Sequence, residues 1–337
     1  MRVCVIPGDG IGVEVLAVAV RVLQILRPGV ELLFAEAGWD TFQRHGVALP
    51  ATTLAAARAA DAILFGAVAS PSHPVPGYRS PIVQLRRDLD LYANIRPTQL
   101  RRQPPDGAAQ YSFVVVRENT EGLYAGRERV EDDGATAIAE RVITRHASAR
   151  ISRAACDLAR QRATTLGRRG RLTIVHKANV LRVSDGLFRE TALRVAAEYP
   201  ELEVEELLVD VAAMRVAETP TRFDVIVTTN LFGDILSDIA CIHGGGLGMA
   251  ASANLGDAHG LFEPVHGAAP DIVGRGIANP MAALESVAML LEWRSFTGEA
   301  ERLRSAMAAV LLVGPRTPDI GGDAGTAAVA DAVIERL

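Results

Sequence analysis

The sequence has few of the features that mark secreted, membrane and disulfide-bonded proteins. Only three of its 337 residues are cysteine, and Cys4, Cys156 and Cys241 lie in apolar or helical contexts without the spacing of a metal site. We therefore expect reduced, buried thiols in a cytoplasmic protein. No apolar run reaches the roughly 18 residues of a membrane-spanning helix, and the first residues read as a strand rather than a signal peptide. Neither secretion nor membrane insertion is indicated.

An excess of charge of one sign is also missing. The formal net charge is only −5, and no block of like charges occurs. This balance argues against a nucleic-acid-binding surface but is compatible with small anionic substrates, because local basic clusters can still exist. The hydrophobic content is 49%, and 337 residues exceed the usual size of one core. Two domains or one large α/β unit are therefore expected.

A standard dinucleotide-binding fingerprint is absent as well. The first apolar run ends in "PGDGIG", where Gly8, Gly10 and Gly12 are too closely spaced for G-x-G-x-x-G, and Val13 occupies the place of the third glycine. The spacing favours a tight turn between a strand and a helix, with glycine required by the backbone angles. A nucleotide site has to be sought elsewhere.

Short β-rich runs alternate with helical patterns along the chain. The predicted strands are "RVCVI", "ELLFAEA", "AILFGA", "YSFVVV", "RLTIVH", "LEVEELLV" and "FDVIVTTN". Apolar residues at helical spacing predict helices over 148–165, 184–197, 280–291 and 323–337. This alternation predicts an α/β protein with a largely parallel or mixed sheet. The Pro- and Gly-rich stretch "SPSHPVPGYRSP" is expected to be a loop that delivers residues to a site.

Three aspartates form a candidate metal site. Asp234 and Asp238 are four residues apart in "NLFGDILSD", so both carboxylates project from one face of a helix. Asp210 follows an apolar strand, where it either caps the next helix or serves as a third ligand. Oxygen ligands of this kind suit Mg²⁺ or Mn²⁺. A solvated helix face is the alternative for the first pair, and the apolar residues around it favour the metal.

Basic residues near predicted strand ends form a second group. Arg86 and Arg96 bracket "LYANI", and Arg117 ends "FVVVR". Arginine binds carboxylates in bidentate geometry, so three arginines near strand ends suggest a small polyanionic substrate, although each alone is more typical of a surface ion pair. Lys177 follows the strand "RLTIVH" among apolar residues. It is a candidate for acid–base chemistry or, alternatively, a lysine that extends from a strand end to solvent.

Six motifs in order resemble one enzyme family. "IPGDGIG", "LRRDLDLYANIRP", "RENTEGLY", "HKANVL", "NLFGDILSD" and "EPVHGAAPDIVGRGIANP" are similar to those of the β-decarboxylating dehydrogenases, which include isocitrate, 3-isopropylmalate and homoisocitrate dehydrogenases. The resemblance covers essentially the whole chain. It implies a two-domain α/β fold with a large mixed sheet flanked by helices, rather than a Rossmann fold. The implied domains are residues 1–100 with 251–337, which bind NAD, and residues 101–250, which dimerise and hold substrate and metal.

The resemblance also implies a role for each site residue. The metal ligands are Asp210, Asp234 and Asp238, the carboxylate-binding arginines are Arg86, Arg96 and Arg117, and the catalytic acid and base are Tyr124 and Lys177. Ser80 and Asn179 join the substrate-binding residues. The NAD-binding residues are Ile11, Glu263, His266, Gly267, Ala269, Asp271, Ile272 and Asn279. In the family, Lys177 and Asp210 enter the active site of the partner subunit, which implies a homodimer or a higher homo-oligomer.

The expected reaction is the oxidative decarboxylation of a 3-substituted malate, a 2-hydroxy di- or tricarboxylate, with NAD and Mg²⁺ or Mn²⁺. "SPIV", "AGWDTFQRHG" and "HKANVLRVSDGLFRE" look most like homoisocitrate dehydrogenases, in which Ser80 would bond the distal carboxylate and the product would be 2-oxoadipate. Val83 and Ile82 would instead line an apolar wall for 3-isopropylmalate or another alkylmalate, and isocitrate is a further alternative. A carboxylate at Asp271 favours NAD, because it repels a 2′-phosphate. The alternative to an enzyme is a non-catalytic regulatory subunit of the same family. The presence of the acid, base and metal-binding residues argues against this alternative.

Overall fold

The structure is a computed structural model that describes residues 1–73, 75–99 and 111–337. Its strands are β1 (Arg2–Gly8), β2 (Glu31–Phe34), β3 (Ala62–Ala67), β4 (Ala93–Gln99), β5 (Ser112–Glu118), β6 (Gly122–Glu131), β7 (Thr136–Val142), β8 (Arg171–His176), β9 (Glu203–Leu208), β10 (Val225–Thr228), β11 (Ala251–Leu255) and β12 (Gly260–Pro264).

Helices alternate with these strands along the chain. The α-helices are α1 (Ile11–Leu26), α2 (Trp39–His45), α3 (Ala51–Ala59), α4 (Pro81–Asp88), α5 (Arg145–Leu166), α6 (Ser184–Ala196), α7 (Val209–Glu218), α8 (Asn230–Gly244), α9 (Met281–Trp293), α10 (Thr297–Val313) and α11 (Thr326–Ile334). Short 3₁₀ helices cover Asp132–Gly134, Pro220–Arg222, Leu247–Met249 and Pro318–Ile320.

The chain divides into two compact units, Met1–Leu91 with Gly245–Leu337 and Tyr92–Gly244. The sequence-based prediction placed the same kind of division at residues 100 and 250. The predicted roles of the two domains, NAD binding for one and dimerisation for the other, stay predictions.

The first unit contains five neighbouring strands, parallel and antiparallel, in the order β2-β1-β3-β12-β11. β1 pairs in parallel with β2 and β3, β12 is parallel to β3, and β11 is antiparallel to β12. All six residues of β3 are buried, as expected for a continuous apolar run whose sheet is covered on both faces. Its core includes Ile63, Phe65, Leu85 and Leu261.

The second unit has strand order β4-β5-β10-β8-β9, and β6 and β7 form a separate two-stranded sheet. β4 is antiparallel to β5, whereas β5, β10, β8 and β9 run parallel. Phe113, Phe223 and Leu236 lie in its core, where they join the sheet to helices α7 and α8. Parallel strands place their carboxyl ends at one edge, which brings Arg117, Lys177 and the start of α8 to the same edge of this unit.

The "PGDGIG" segment is a tight turn between β1 and α1, as its spacing predicted. Gly8 and Gly10 have positive φ angles of 75° and 59°. Gly12 is required for space, because a Cβ there would lie 2.5 Å from both the amide nitrogen of Ala67 and the carbonyl oxygen of Pro7. The turn thus brings α1 directly onto β3.

Several predicted element bounds need correction. Arg96 lies inside β4 rather than beside a strand, and Arg86 lies in α4. Asp210 is the second residue of α7 rather than the end of a strand, and backbone N–H groups at the start of that helix help to lower the pKa of its carboxylate. The last predicted helix is shorter, spanning Thr326–Ile334, and α10 was not predicted at all. These differences arise because tertiary pairing, rather than local pattern, decides where a strand or helix ends.

All three cysteines are buried and free, as expected. Burial raises the pKa of Cys4 and Cys241 to about 11 and that of Cys156 to about 12, so the thiols are protonated at neutral pH. In the part of the chain that the structure describes, no helix is both long and apolar enough to cross a bilayer.

Candidate active site

Arg117 lies at the end of β5 and is almost fully buried, with 1% of its surface exposed. Its Nε and Nη2 atoms donate to the same oxygen of Asn230, at 3.1 and 2.8 Å, and its Nη1 atom contacts the Asp234 carboxylate. α8 approaches this closely because residue 233 is glycine. A Cβ at Gly233 would lie 2.6 Å from the Cβ of Arg117. The guanidinium plane is therefore held from two sides.

Arg96 reaches the same helix from β4. Its Nε atom donates to Asn94 at 2.8 Å and its Nη1 atom donates to the Ser237 hydroxyl at 2.8 Å. The Nη1 atom also lies 3.3 Å from an Asp234 oxygen and 3.5 Å from an Asp238 oxygen. The two arginines thus offset the repulsion between carboxylates one helical turn apart.

Asp234 and Asp238 lie on one face of α8, as their spacing predicted, and Tyr124 joins them. The Tyr124 hydroxyl donates to Asp234 Oδ2 at 2.6 Å. Burial, with a further contribution from Asp234, raises the pKa of Tyr124 above its usual value. The pKa of Asp238 is also raised, by partial burial and then by Asp234, and Arg96 opposes this shift. Tyr124 is thus a phenol that stays protonated beside a pair of carboxylates.

Lys177 and Asp210 form a separate pair. Lys177 directly follows β8, and its Nζ atom lies 2.6 Å from Asp210 Oδ1. This hydrogen bond is the largest of the effects that lower the pKa of Asp210. Within residues 1–73, 75–99 and 111–337, no three or more Asp, Glu, His or Cys side chains are clustered to hold a metal ion. A single chain therefore does not bring Asp210 into one metal site with Asp234 and Asp238.

The backbone of Lys177 is fixed by a buried ion pair that sequence reasoning missed. The Lys177 amide donates to Asp185 Oδ2 at 2.5 Å, and Asp185 is fully buried against Arg141. Arg141 also donates to the Thr229 hydroxyl at 2.7 Å, directly before α8. The adjacent Ser-Asp at the start of α6 was the available signal in the sequence. Asn179, a predicted substrate contact, is exposed in the loop that follows Lys177.

In the first unit, Arg86 and Glu263 are buried together. Arg86 Nη2 donates to Glu263 Oε1 at 3.0 Å, and the Asn254 amide donates to the same oxygen at 2.8 Å. The Nε atom of Arg86 is buried and finds no partner in the described part of the chain. Arg86, predicted to bind substrate, and Glu263, predicted to contact NAD, are therefore neighbours.

Ser80 lies directly before α4 and is half-buried. Its hydroxyl makes no hydrogen bond with any residue that the structure describes. Ile82 packs against the core of the first unit and, like Val83, is partly exposed. Ser80 and Val83 lie one helical turn apart and share a face.

The loop after β12 carries most of the predicted NAD contacts. The Ile11 amide donates to the Ala268 carbonyl at 3.0 Å, so the first turn of the chain lies against this loop. His266 keeps Nδ1 3.0 Å from the Gly267 carbonyl, while its Nε2 is buried without a partner among the described residues, and burial lowers the pKa of His266.

The rest of this loop is held by its own backbone. Ala269 adopts a positive φ of 41°, and its carbonyl accepts a hydrogen bond from the Ile272 amide at 3.1 Å. Asp271 is exposed. Asn279 is occupied by local structure, because it accepts from the Met281 amide and donates to Asp319 at 2.9 Å.

Buried guanidinium groups beside paired carboxylates suit a small polyanionic substrate. The chain matches the isocitrate/isopropylmalate dehydrogenase family over residues 2–333 and belongs to that family. It is therefore a dehydrogenase of the β-decarboxylating class, whose members use NAD(P) and a divalent metal and act on small hydroxy acids.

Individual relatives carry several substrate names. An isocitrate/homoisocitrate dehydrogenase of Thermus thermophilus is 50% identical over 336 residues, covering 100% of this chain and 98% of the relative. A 3-isopropylmalate/3-methylmalate dehydrogenase of Methanocaldococcus jannaschii is 46% identical with the same coverage. The crystal structure of isocitrate dehydrogenase from Methylococcus capsulatus has a TM-score of 0.92 at 42% identity, covering 99% of this chain and 98% of that one.

Proposed function

We propose that this chain oxidises and decarboxylates a 3-substituted malate, with homoisocitrate as its substrate and 2-oxoadipate as its product. The observation that carries the choice of substrate is the Ser80 hydroxyl next to α4, which has no hydrogen-bond partner among the described residues. The same helix carries Arg86, whose Nε is likewise unpaired within that part of the chain. A buried distal carboxylate without a donor would cost several kcal/mol, so a substrate with that group needs such a partner. Arg79 is exposed beside Ser80 and supplies a cation.

The substrate's other carboxylates are assigned to the arginines. Arg86, Arg96 and Arg117 offer guanidinium groups that are already desolvated, which strengthens each charge-assisted hydrogen bond. Asp234 and Asp238 fit a divalent cation, since two carboxylates on one face of α8 are the hard oxygen ligands that Mg²⁺ and Mn²⁺ prefer. The partner subunit's Asp210 is proposed as the third ligand.

The proton transfers are assigned to Lys177 and Tyr124. The chemistry supplied by bound Mg²⁺ or Mn²⁺ is polarisation of the 2-hydroxyl and the adjacent carboxylate, and that supplied by NAD is acceptance of the hydride from C2. Lys177 helps to remove the hydroxyl proton: Nζ passes a proton to Asp210, to which it is hydrogen-bonded, or to water, and takes the hydroxyl proton in its place. After CO₂ leaves the resulting β-keto acid, Tyr124 donates its phenolic proton to the carbon from which CO₂ departed. The raised pKa of Tyr124 keeps this proton on the hydroxyl until then.

NAD is proposed in preference to NADP. Asp271 is exposed in the loop after β12 and makes no hydrogen bond or ion pair with the described residues. A free carboxylate there can accept from the adenosine ribose hydroxyls and would repel a 2′-phosphate. Equal kcat/KM with NAD and NADP would show that another part of the loop decides the cofactor.

A 3-isopropylmalate dehydrogenase is the second candidate. Val83 is apolar and shares a face of α4 with Ser80, and its contact with an alkyl group would contribute about 0.8 kcal/mol per buried methylene. The 46% identical relative named for 3-isopropylmalate and 3-methylmalate supports this reading. Ile82, next to Val83, is also only partly buried.

The deciding experiment measures NADH formation with homoisocitrate, isocitrate and 3-isopropylmalate in the presence of Mn²⁺, with and without excess EDTA. We expect homoisocitrate to give the highest kcat/KM and EDTA to abolish turnover. Ser80→Ala should lower kcat/KM for homoisocitrate about tenfold or more and leave 3-isopropylmalate unchanged, because only the former has a distal carboxylate. Ser305→Ala, on the exposed face of α10, is the matched control. A wild type that prefers 3-isopropylmalate and tolerates Ser80→Ala would overturn the homoisocitrate assignment.

A further inference from the structure

The segment that carries Ser80 is held in place by a side chain far from it in sequence. Residues 68–73 and 75–80 link β3 to α4 without forming a strand or helix. Asp9, in the turn after β1, is 3% exposed, and its Oδ2 atom accepts from the Ala69 amide at 2.9 Å. The first end of the link is therefore tied to a buried carboxylate.

The same carboxylate fixes the start of α2. Asp9 Oδ2 also accepts from the Trp39 amide at 2.7 Å, and Oδ1 accepts from the Asp40 amide at 3.0 Å. Gly38 makes this possible, because a Cβ there would collide with the Asp9 carboxylate. One buried anion thus joins the link to α2 through three backbone donors.

An aromatic cluster fixes the second end of the link. Tyr78 packs edge-on against Trp39 and Phe42 of α2, with ring centroids 5.4 and 5.3 Å apart. The Tyr78 hydroxyl donates to the Ala69 carbonyl at 2.9 Å, which closes the link on itself. Tyr78 is two residues before Ser80, so its anchoring restricts where the Ser80 hydroxyl can point.

We propose that Tyr78 and Asp9 are positioning residues that set selectivity for the C3 substituent, by holding residues 78–80 against α2 and thereby placing Ser80. This inference rests on the proposed function, in which Ser80 reads that substituent. Neither Asp9 nor Tyr78 is among the residues assigned to the chemistry. Loosening the anchor therefore weakens recognition of the substituent and leaves the common malate part of the substrate unaffected.

The test compares Tyr78→Phe with wild type on two substrates. The variant keeps the ring contacts with Trp39 and Phe42 and loses the hydroxyl, which bonds to the Ala69 carbonyl and to the Ser70 side chain within the same link. We expect KM for homoisocitrate to rise about three- to tenfold with kcat nearly constant, the range that follows from losing neutral hydrogen bonds. Unsubstituted malate has no group at C3, so its kcat/KM should not change. Phe42→Leu, which removes the edge contact with Tyr78 and the stacking on Trp39, should likewise lower kcat/KM for homoisocitrate relative to that for malate.

Tyr111→Phe is the matched control, because the Tyr111 hydroxyl also donates to a backbone carbonyl, that of Phe223, at 2.5 Å in the second unit. It should not change kcat/KM for homoisocitrate relative to that for malate.

An equal loss of kcat/KM for homoisocitrate and malate in Tyr78→Phe, or no loss for either, would overturn the inference while leaving the proposed function intact. If the wild type prefers another 3-substituted malate, the selective rise in KM must appear with that substrate. A wild type that turns over no 3-substituted malate would overturn the proposed function itself.

Discussion

At the scale of single residues, neutral side chains help to orient two arginines of the candidate site, Arg96 and Arg117. Asn230 accepts two hydrogen bonds from Arg117, and the Ser237 hydroxyl accepts one from Arg96 and donates to the Asp234 carbonyl. Both lie within "NLFGDILSD", next to the predicted metal ligands. These neutral acceptors fix the direction of the two guanidinium groups, which also form ion pairs with Asp234 and Asp238.

Asn230→Ala should therefore weaken substrate binding. It leaves buried N–H groups of Arg117 without their acceptor, at a cost of about 1–3 kcal/mol, and frees the side chain to turn. We expect KM to rise about tenfold or more, measured by initial rates of NADH formation. Ser237→Ala is the comparison and should have a smaller effect, because Arg96 keeps its bond to Asn94. Equal, small changes in both variants would show that these contacts do not orient the arginines.

At the scale of secondary-structure elements, one buried ion pair links several parts of the second unit. Arg141 of β7 contacts Asp185 of α6 and donates to Thr229 in front of α8, and Asp185 accepts from the Lys177 amide. The pair thus ties the residue after β8 to the helix that carries Asp234. Removing one partner of such a pair strongly destabilises the folded protein, because the other charge stays buried without compensation.

Asp185→Asn should lower the free energy of unfolding by about 3 kcal/mol and should also lower kcat, because Lys177 loses its fixed backbone position. Urea unfolding followed by circular dichroism measures the first effect and initial rates measure the second. Glu198→Gln is the matched control. It breaks the ion pair between Arg153 and Glu198, whose side chains are 50% and 55% exposed, respectively. The free energy of unfolding should therefore fall by no more than about 1 kcal/mol. Similar losses in the two variants would contradict a special role for the buried pair.

At the scale of the whole molecule, the separation of Asp210 from Asp234 and Asp238 points to a site completed by a second chain. Lys177 and Asp210 pair with each other, while Arg96, Arg117 and Tyr124 gather around Asp234. Each group is incomplete for the proposed reaction. In a symmetric dimer, each chain can complete the site of the other.

Mixing inactive Lys177→Met with inactive Arg96→Ala subunits should therefore restore activity. Half of the randomly formed dimers are hybrids, and each hybrid has one site with both native groups, so about a quarter of wild-type activity is expected. The measurement is NADH formation after subunit exchange, verified by mass spectrometry of differently tagged chains. Exchange without recovery would show that Lys177 and Arg96 serve the same chain's site.

Features that depend on local order along the chain could be predicted from the sequence. Asp234 and Asp238 share a face because the helical repeat places residues four apart side by side. Lys177 follows its strand because a continuous apolar run ends there, and Gly8 and Gly10 form a turn because their backbone angles exclude other residues. The order of the motifs indicated the family, which the whole-chain match confirmed.

Partnerships between distant residues were decided only by the tertiary structure. Arg86 meets Glu263 across 177 positions and Arg117 meets Asn230 across 113, and no local pattern encodes either contact. Arg96 lies inside β4 because β5 pairs with it, whereas the sequence around it suggested a strand end. Asp9 looked like part of a glycine turn, yet its carboxylate holds α2 and the link to Ser80. Local periodicity determines which element a residue joins, and the packing of elements from separate parts of the chain determines which side chains it meets.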